Sequence, residues 1–360
     1  MISKTTKGRL KDIDLNATQF PVRENLWWFL YRIYMQQLDP EASTFFWIDA
    51  ICIDQHNSEE RNHQVQMMRA IYSNAQSVTV WLGPGDESSD VAMRYLATKR
   101  PPSPDITRFR KRWSNHYGKA LLAMCDKRYW RRMWIVQKVL LAKRTRICCV
   151  TKTVSWVHFE QLVKDIQALS QGGRDHNTFL APYVCASPAF AIATTKLVWD
   201  GRRRPLTELF QRYCDHEATD VRDKAYALFG LARDIAGWIP IDYSLSPKTL
   251  FLEVLYHATI YGWPSEDHHE TLMSLLGQYA KIVADALRVH CGDKETGFHL
   301  SIGLSRRGNP CPPHSVHVPC RRCSSREDLD SLESNMIIRT SCLDRPFLIQ
   351  GWFGQSKSRD

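Results

Sequence analysis

At 360 residues, with 44% hydrophobic and 11% aromatic content, the chain can bury a sizeable core, which excludes general disorder. Its formal net charge of +10 at pH 7 is concentrated in one block. Lys99 to Arg146 carries fifteen Lys or Arg against two Asp, and the remainder is slightly acidic. No run of about 18 apolar residues occurs, so no transmembrane helix is expected. The basic opening MISKTTKGRLK is followed by no apolar stretch, which argues against a secretory signal. A cytoplasmic protein is expected. In that compartment Cys52, Cys125, Cys148, Cys149, Cys185 and Cys214 read as reduced thiols acting as small hydrophobes.

The first element is a short strand, Ile13 to Leu15, with a turn at Asn16 to Thr18. VRENLWWFLYRIYMQQL then predicts a helix with Leu26, Leu30, Ile33 and Tyr34 on one face, ended before Pro40. FFWIDAICI (45 to 53) is almost continuously apolar and suits a strand covered on both faces, with Asp49 inside it. Asp54 to Asn57 forms a loop, and the spacing of Asn57 and Glu60 is that of a capping box, so a helix begins near Ser58. Val65, Met68, Tyr72 and Ala75 give it an apolar stripe. SVTVWL (77 to 82) is a second buried strand, stopped by Gly83-Pro84-Gly85. Strand, helix and strand at this length predict a parallel α/β sheet.

A helix over 88 to 98, a loop at Pro101, Pro102 and Pro104, a helix over 129 to 142 and a strand over 146 to 150 follow. From residue 155 the pattern is mainly helical, with a break at Gly172-Gly173 and helices over 205 to 235 and 247 to 261. After about 292 the chain is polar and irregular. The expected division is 13–150, an α/β core; 151–290, mainly helical; and 291–360, a poorly ordered tail.

WIDAICIDQHNSEERNHQVQMMRAIYSNAQSVTVWLG (47 to 83) closely resembles the core of the fungal heterokaryon incompatibility (HET) domain. Three further segments resemble the same family in the right order: YWRRMWIVQKVLLAKR (129 to 144), ATDVRDKAYALFGLA (218 to 232) and IDYSLSPKTLF (241 to 251). The resemblance implies a role in self/non-self recognition and programmed cell death, exerted with other incompatibility or signalling proteins; a homo-oligomer is a further candidate partner. It also implies a distant likeness to the TIR fold, a parallel flavodoxin-like sheet with flanking helices. The sequence departs from the family twice. No Tyr-x-Ala-Leu-Ser-Tyr-x-Trp-Gly strand precedes Ile13, so the first family strand is expected to be missing. Lys138 also stands where the family reads Gln-Glu-Val.

The second departure bears on chemistry. At 100° per residue from Trp130, Trp134 falls at about 40° and Gln137 at about 340°, in the centre of the apolar stripe, while Lys138 lies on its shoulder at about 80°. A buried amide needs partners, so Gln137 either bridges helix and loop or lines a cleft. The TIR comparison implies that Lys138 occupies the place of a glutamate that serves NAD cleavage. An ammonium there opposes a developing positive charge and accepts no proton while charged. No cofactor is therefore expected, with NAD as the weak alternative.

Asp49, Asp54, Gln55, Glu60, Arg61 and Gln64 match the family's characteristic polar positions. Asp54 and Gln55, just beyond an expected strand end, are placed to face a crevice. With Trp134, Gln137 and Lys138 they make up the candidate cleft set. Asp220, Arg222, Asp223 and Lys224 precede the apolar AYALFGLA, where Thr219 or Asp220 can cap a helix, and they read as structural. Cys311, His314, His317, Cys320 and Cys323 recur every three residues; these are zinc-ligand types at an unfamiliar spacing, and no metal is expected. The expected function is contact-based incompatibility signalling by a catalytically degenerate domain. A TIR-like NAD glycohydrolase is the alternative. A nucleic-acid-binding regulator using the 99–146 block is the second alternative, without a supporting motif.

Overall fold

A computed structural model describes residues 9–36, 45–98, 115–149, 151–171, 180–235, 239–261 and 269–289, together with the strand segments 297–306, 309–310, 314–319, 336–338 and 347–352. The chain divides into two compact units, Met1–Gly201 and Arg202–Asp360. This division falls later than residue 150.

The first unit opens with a hairpin of β1 (Leu10–Leu15) and β2 (Thr18–Arg23). Its turn residues Asn16 and Ala17 have φ of 53° and 61°, the pair of left-handed conformations that a two-residue turn between twisted strands requires. The expected turn is thus present, and the strand before it is longer than the sequence suggested. Pro21 in β2 pairs with Asp12 of β1. Helix α1 (Glu24–Gln36) follows directly. It docks through Phe29, whose ring lies 5.6 Å from that of Trp81, and through the Trp81 indole N–H, which donates to Asn25 O at 2.9 Å. Arg32 donates to Thr153 Oγ1 at 2.6 Å and Thr151 O at 3.3 Å. Tyr34, assigned to the buried face from periodicity, is 76% exposed.

Residues 45–53 are not a strand. Residues 45–48 lack regular structure, and Asp49–Cys52 forms a single helical turn, α2. A short apolar run does not distinguish strand from helix by periodicity, and here Asp49 supplies an acidic first turn. The βαβ unit expected over 45–82 is therefore absent. Helix α3 (Ser58–Asn74) begins as predicted, with Asn57 Oδ1 accepting from Glu59 N and Glu60 N at 3.0 and 3.1 Å. Glu60 reaches back to Asp54 N at 3.1 Å, so the reciprocal arm of the capping box closes on the loop.

The parallel pairing joins β3 (Val78–Trp81) to β4 (Thr145–Cys149), with Val78 opposite Thr145. β5 (Lys152–Ser155) returns antiparallel to β4, giving a mixed three-stranded sheet of order β3-β4-β5. This replaces the wholly parallel, flavodoxin-like sheet expected from the sequence; the α/β class holds.

Around the sheet lie α4 (Glu87–Ala97), α5 (Asn115–Cys125), α6 (Met133–Leu141), α7 (Trp156–Gln171), α8 (Ala181–Cys185) and α9 (Pro188–Leu197). The helix predicted over 129–142 is broken. Arg128–Arg131 is a 3-10 turn, Arg132 is extended, and α6 starts at Met133. Trp130 explains the break. It is fully buried, its indole N–H donates to Met124 O at 3.0 Å, and its ring stacks on Phe159. Val80, Leu121, Ile135, Phe159 and Ile192 belong to the same core. Lys196 of α9 donates to Leu140 O at 3.0 Å and Ala142 O at 2.8 Å, satisfying carbonyls that the end of α6 leaves without intrahelical partners.

The second unit contains α10 (Leu206–Tyr213), α11 (Asp223–Phe229), α12 (Pro247–Tyr261) and α13 (His269–Leu287). The helical region predicted over 205–235 consists of two helices, the second starting at Asp223. The described part of 291–360 forms antiparallel strands. β6 (Gly297–Arg306) pairs with β7 (Asn309–Pro310), β8 (His314–Pro319) and β10 (Phe347–Trp352), and β10 pairs with β9 (Met336–Ile338). The strand signal in GFHLSIGLSR is the alternation of Phe298, Leu300, Ile302 and Leu304 with small or polar residues. Of the Cys/His ladder, His314 and His317 fall in β8, while Cys311, Cys320 and Cys323 lie outside the described residues.

Candidate functional site

The structure brings two of the cleft candidates together across 89 positions of sequence. Lys138 Nζ on α6 donates to Asp49 Oδ2 on α2 at 2.8 Å. Their side chains are 16% and 33% exposed. Tyr72 of α3, itself buried, places its ring centroid 5.6 Å from Lys138 Nζ, a cation–π contact. Trp47 meets Tyr72 edge-on at 5.9 Å. Gln55 Nε2 donates to Asp49 O at 3.2 Å, and Ile48 N donates to Cys52 Sγ at 3.5 Å. A helix of four residues that buries none of them is therefore held by side chains on either side of it.

The electrostatics follow from this packing. Burial pushes the Asp49 carboxyl up, but the charge and hydrogen bond of Lys138, with Arg132 beyond it, hold it below its ordinary value of 3.8. Burial works against the Lys138 ammonium too, yet Tyr72, Asp49 and Tyr129 together raise it above its ordinary range. Burial also pushes the Tyr129 phenol up to about 12 and raises that of Tyr72. At neutral pH the phenols are therefore uncharged and Asp49 is the counter-ion. The result is a closed ion pair, with no free carboxylate to act as a base and no neutral amine to act as a nucleophile.

The remaining candidates are more dispersed. Asp54 and Gln55 are exposed in the loop, where Asp54 Oδ1 accepts from His56 N at 2.9 Å. Glu60, Arg61 and Gln64 are half-buried on the first turns of α3, and Trp134 is half-buried on α6. Gln137 is 1% exposed, and among the described residues no donor reaches its Oε1. The burial assigned to it from periodicity is correct, although Trp130, the reference for that reading, lies outside α6. A cavity of about 300 Å³ lies elsewhere in the unit, lined by Val91, Arg94, Tyr95, Thr98, His116 and Tyr117; none of the cleft candidates lines it. Sequence reasoning missed Tyr129 and Arg132 as neighbours of the pair. Tyr72 appeared only as a member of an apolar stripe.

Of the basic block, 99–114 lies outside the described residues. Arg128, Arg131, Arg132, Lys143, Arg144 and Arg146 are exposed, and Arg131 pairs with Asp126 at 2.6 Å.

In the second unit, Arg222 grips Asp220 through Nε at 2.9 Å and Nη2 at 2.8 Å. Its Nη1 donates to Leu245 O at 2.9 Å and to Tyr243 O. The Tyr243 hydroxyl donates to Asp223, Tyr226 donates to Asp242 O at 2.6 Å, and Lys224 donates to Cys214 O at 2.6 Å. Asp220 does not cap α11. Its Oδ1 accepts instead from Arg222 N at 3.1 Å, in a local turn, and Arg222 is the N-cap without a side-chain cap bond. This cluster stitches 218–232 to 241–251. Among the described residues no group of three or more His, Cys, Asp or Glu could hold a metal ion, and no helix is long and apolar enough to cross a membrane.

The family described as heterokaryon incompatibility protein (HET) matches residues 2–138, which include α2, α3, β3 and Lys138. Heterokaryon incompatibility protein 6, OR allele, of Neurospora crassa is 26% identical over 246 residues. The alignment covers 56% of this chain and 36% of that relative, so the chain spans about a third of its length. No solved structure matches. The stretch that carries the Asp49–Lys138 pair is thus the stretch that matches the HET family.

Proposed function

We propose that this chain acts in fungal self/non-self recognition and programmed cell death signalling through protein contacts, and that its HET domain has no catalytic activity. The observation that carries the second half is the ion pair: Lys138, where the family resemblance expects a glutamate, neutralises Asp49 at 2.8 Å. A carboxylate consumed in this way offers no stabilisation to a departing positive centre. The relative's name supports the first half. On this reading the protein works in the cytoplasm with other incompatibility or signalling proteins and needs no NAD. The β3–β4 parallel pair is what supports a distant TIR-like ancestry.

Inducible expression of the full chain in a filamentous fungus tests the reading. Hyphal compartments should die on induction without a fall in cellular NAD, and purified protein should leave NAD intact. Rapid NAD loss with the wild-type chain would overturn the non-catalytic reading. Survival of all hyphae at high expression would overturn the signalling reading.

A further inference from the structure

The segment 45–57 is joined to the rest of the first unit in an unusual way. Phe45 is 94% exposed and Phe46 39% exposed. α2 buries none of its residues, and Ile48 at its N-cap gives it no side-chain bond. Most of its polar bonds are local: Gln55 to Asp49 O, His56 N to Asp54, Asn57 N to Asp54 O and Asp54 N to Glu60. The segment is therefore a self-bonded piece that lies on α3 and α6. Its apolar anchors are Phe46 edge-on to Phe29 of α1 at 5.9 Å, Trp47 against Tyr72, and the buried Ile53. Its polar anchor is Asp49 on Lys138, a partner 89 residues away. One turn of helix has no stability of its own, so its position depends on these four points.

We propose that residues 45–57 form a hinged strap, latched onto α6 by the Asp49–Lys138 ion pair, and that release of this latch uncovers Tyr72 and Lys138. The apolar anchors alone do not make a switch, because a hydrophobic contact offers no charge for a competitor to engage. The ion pair does. Both charges keep some access to solvent, so a carboxylate presented by a partner competes for Lys138 directly, without unfolding α6. Opening costs the exposure of Tyr72, Ile53, one edge of Trp47 and the Phe46–Phe29 contact, and the interior around Trp130 and Val80 is untouched. Asp49, Lys138 and Tyr72 sit on three different elements, so a local exchange of partners at one charge becomes a displacement of a whole segment. The inference rests on the signalling reading only for its purpose. The motion itself is a property of the fold.

Hydrogen exchange on the full chain tests it. In Lys138→Met, which keeps the apolar stem and removes the charge, the amides of Ile51, Cys52 and Asn57 should exchange about tenfold faster or more, while those of α6 and the β3–β4 ladder keep wild-type protection. Unchanged exchange at 51–57, or equal acceleration throughout the unit, overturns the latch. If Lys138→Met does not fold, wild-type protein in about 1 M salt serves instead. Screening should speed exchange at 51–57 more than in the sheet, and a uniform response overturns the proposal. If exchange behaves as expected but hyphal death is indifferent to the variant, the latch stands and the signalling reading fails.

Discussion

Each unit carries a network of charges close to segments that resemble the HET family, and the two are built on opposite plans. In the second unit Arg222 takes both oxygens of an aspartate two residues away and two carbonyls about twenty residues on. Every hydrogen-bonding arm is used, and the two segments cannot separate without losing them together. In the first unit Lys138 makes one hydrogen bond to an aspartate 89 residues away, supplemented by an aromatic ring. The first arrangement is a weld and the second a catch. Dense charge in a sequence therefore need not mark the functional point. The sparse pair can be lost and remade, whereas the dense cluster is too tightly bound to move.

Variants that remove one arm at a time probe this contrast. Arg222→Met should have the largest effect, about 3 kcal/mol of lost stability, because it strands Asp220 and two carbonyls in a partly buried site; a lower urea midpoint would show it. Asp49→Asn should cost about 1–3 kcal/mol, since Lys138 stays mostly buried without its counter-charge. That loss should appear as local exchange rather than as a shift of the whole transition, and a global shift as large as that of Arg222→Met would erase the distinction.

Acid separates the pair further. The Asp49 carboxyl is held below 3.8, so its contribution is fully present above pH 3.8 and disappears as the pH falls through the lower, folded-state value. Lys138, raised above 10.5, keeps its contribution below pH 10.5 and loses it only as the pH rises through its higher folded-state value. Acid titration of the wild type should therefore release 51–57 before the sheet, and Asp49→Asn should abolish that early step. Asn57→Ala, which removes the cap of α3, should show the smallest effect, about 1 kcal/mol, visible as fraying at Ser58 to Glu60.

Much of the first unit was legible in the sequence, for identifiable reasons. α3 was located by a side-chain cap and a stripe that includes Val65, Met68 and Tyr72, and β3 by a β-branched run ending at glycine. Residues 45–53 misled because an unbroken apolar run has no period. Asp49 was the only internal sign that the run was not a covered strand. The break at Arg132 carries no Pro or Gly; it comes from the burial of Trp130 against Met124 and Phe159, contacts set by tertiary structure. The Asp49–Lys138 pair was invisible for the same reason. Each residue was singled out as a candidate, but nothing local joins position 49 to position 138. In the second unit the density of the charge set was legible, while the identity of its bonds, to Tyr243 and Leu245, was not.

The parallel register of β3 on β4 has a consequence during synthesis. Val78 cannot meet Thr145 until the ribosome has released the intervening chain, and Lys196, which closes the end of α6, emerges later still. At roughly 5–20 residues per second, the first unit waits on the order of 10–40 s between its first and last residues. Phe29 is translated near the start of that interval, well before Trp81 and before Thr153, which anchors Arg32 of the same helix. Trp27 and Trp28 meet Lys11 and Tyr31 at once, so the outer aromatic face of α1 forms locally while its sheet-facing side waits for the later strands.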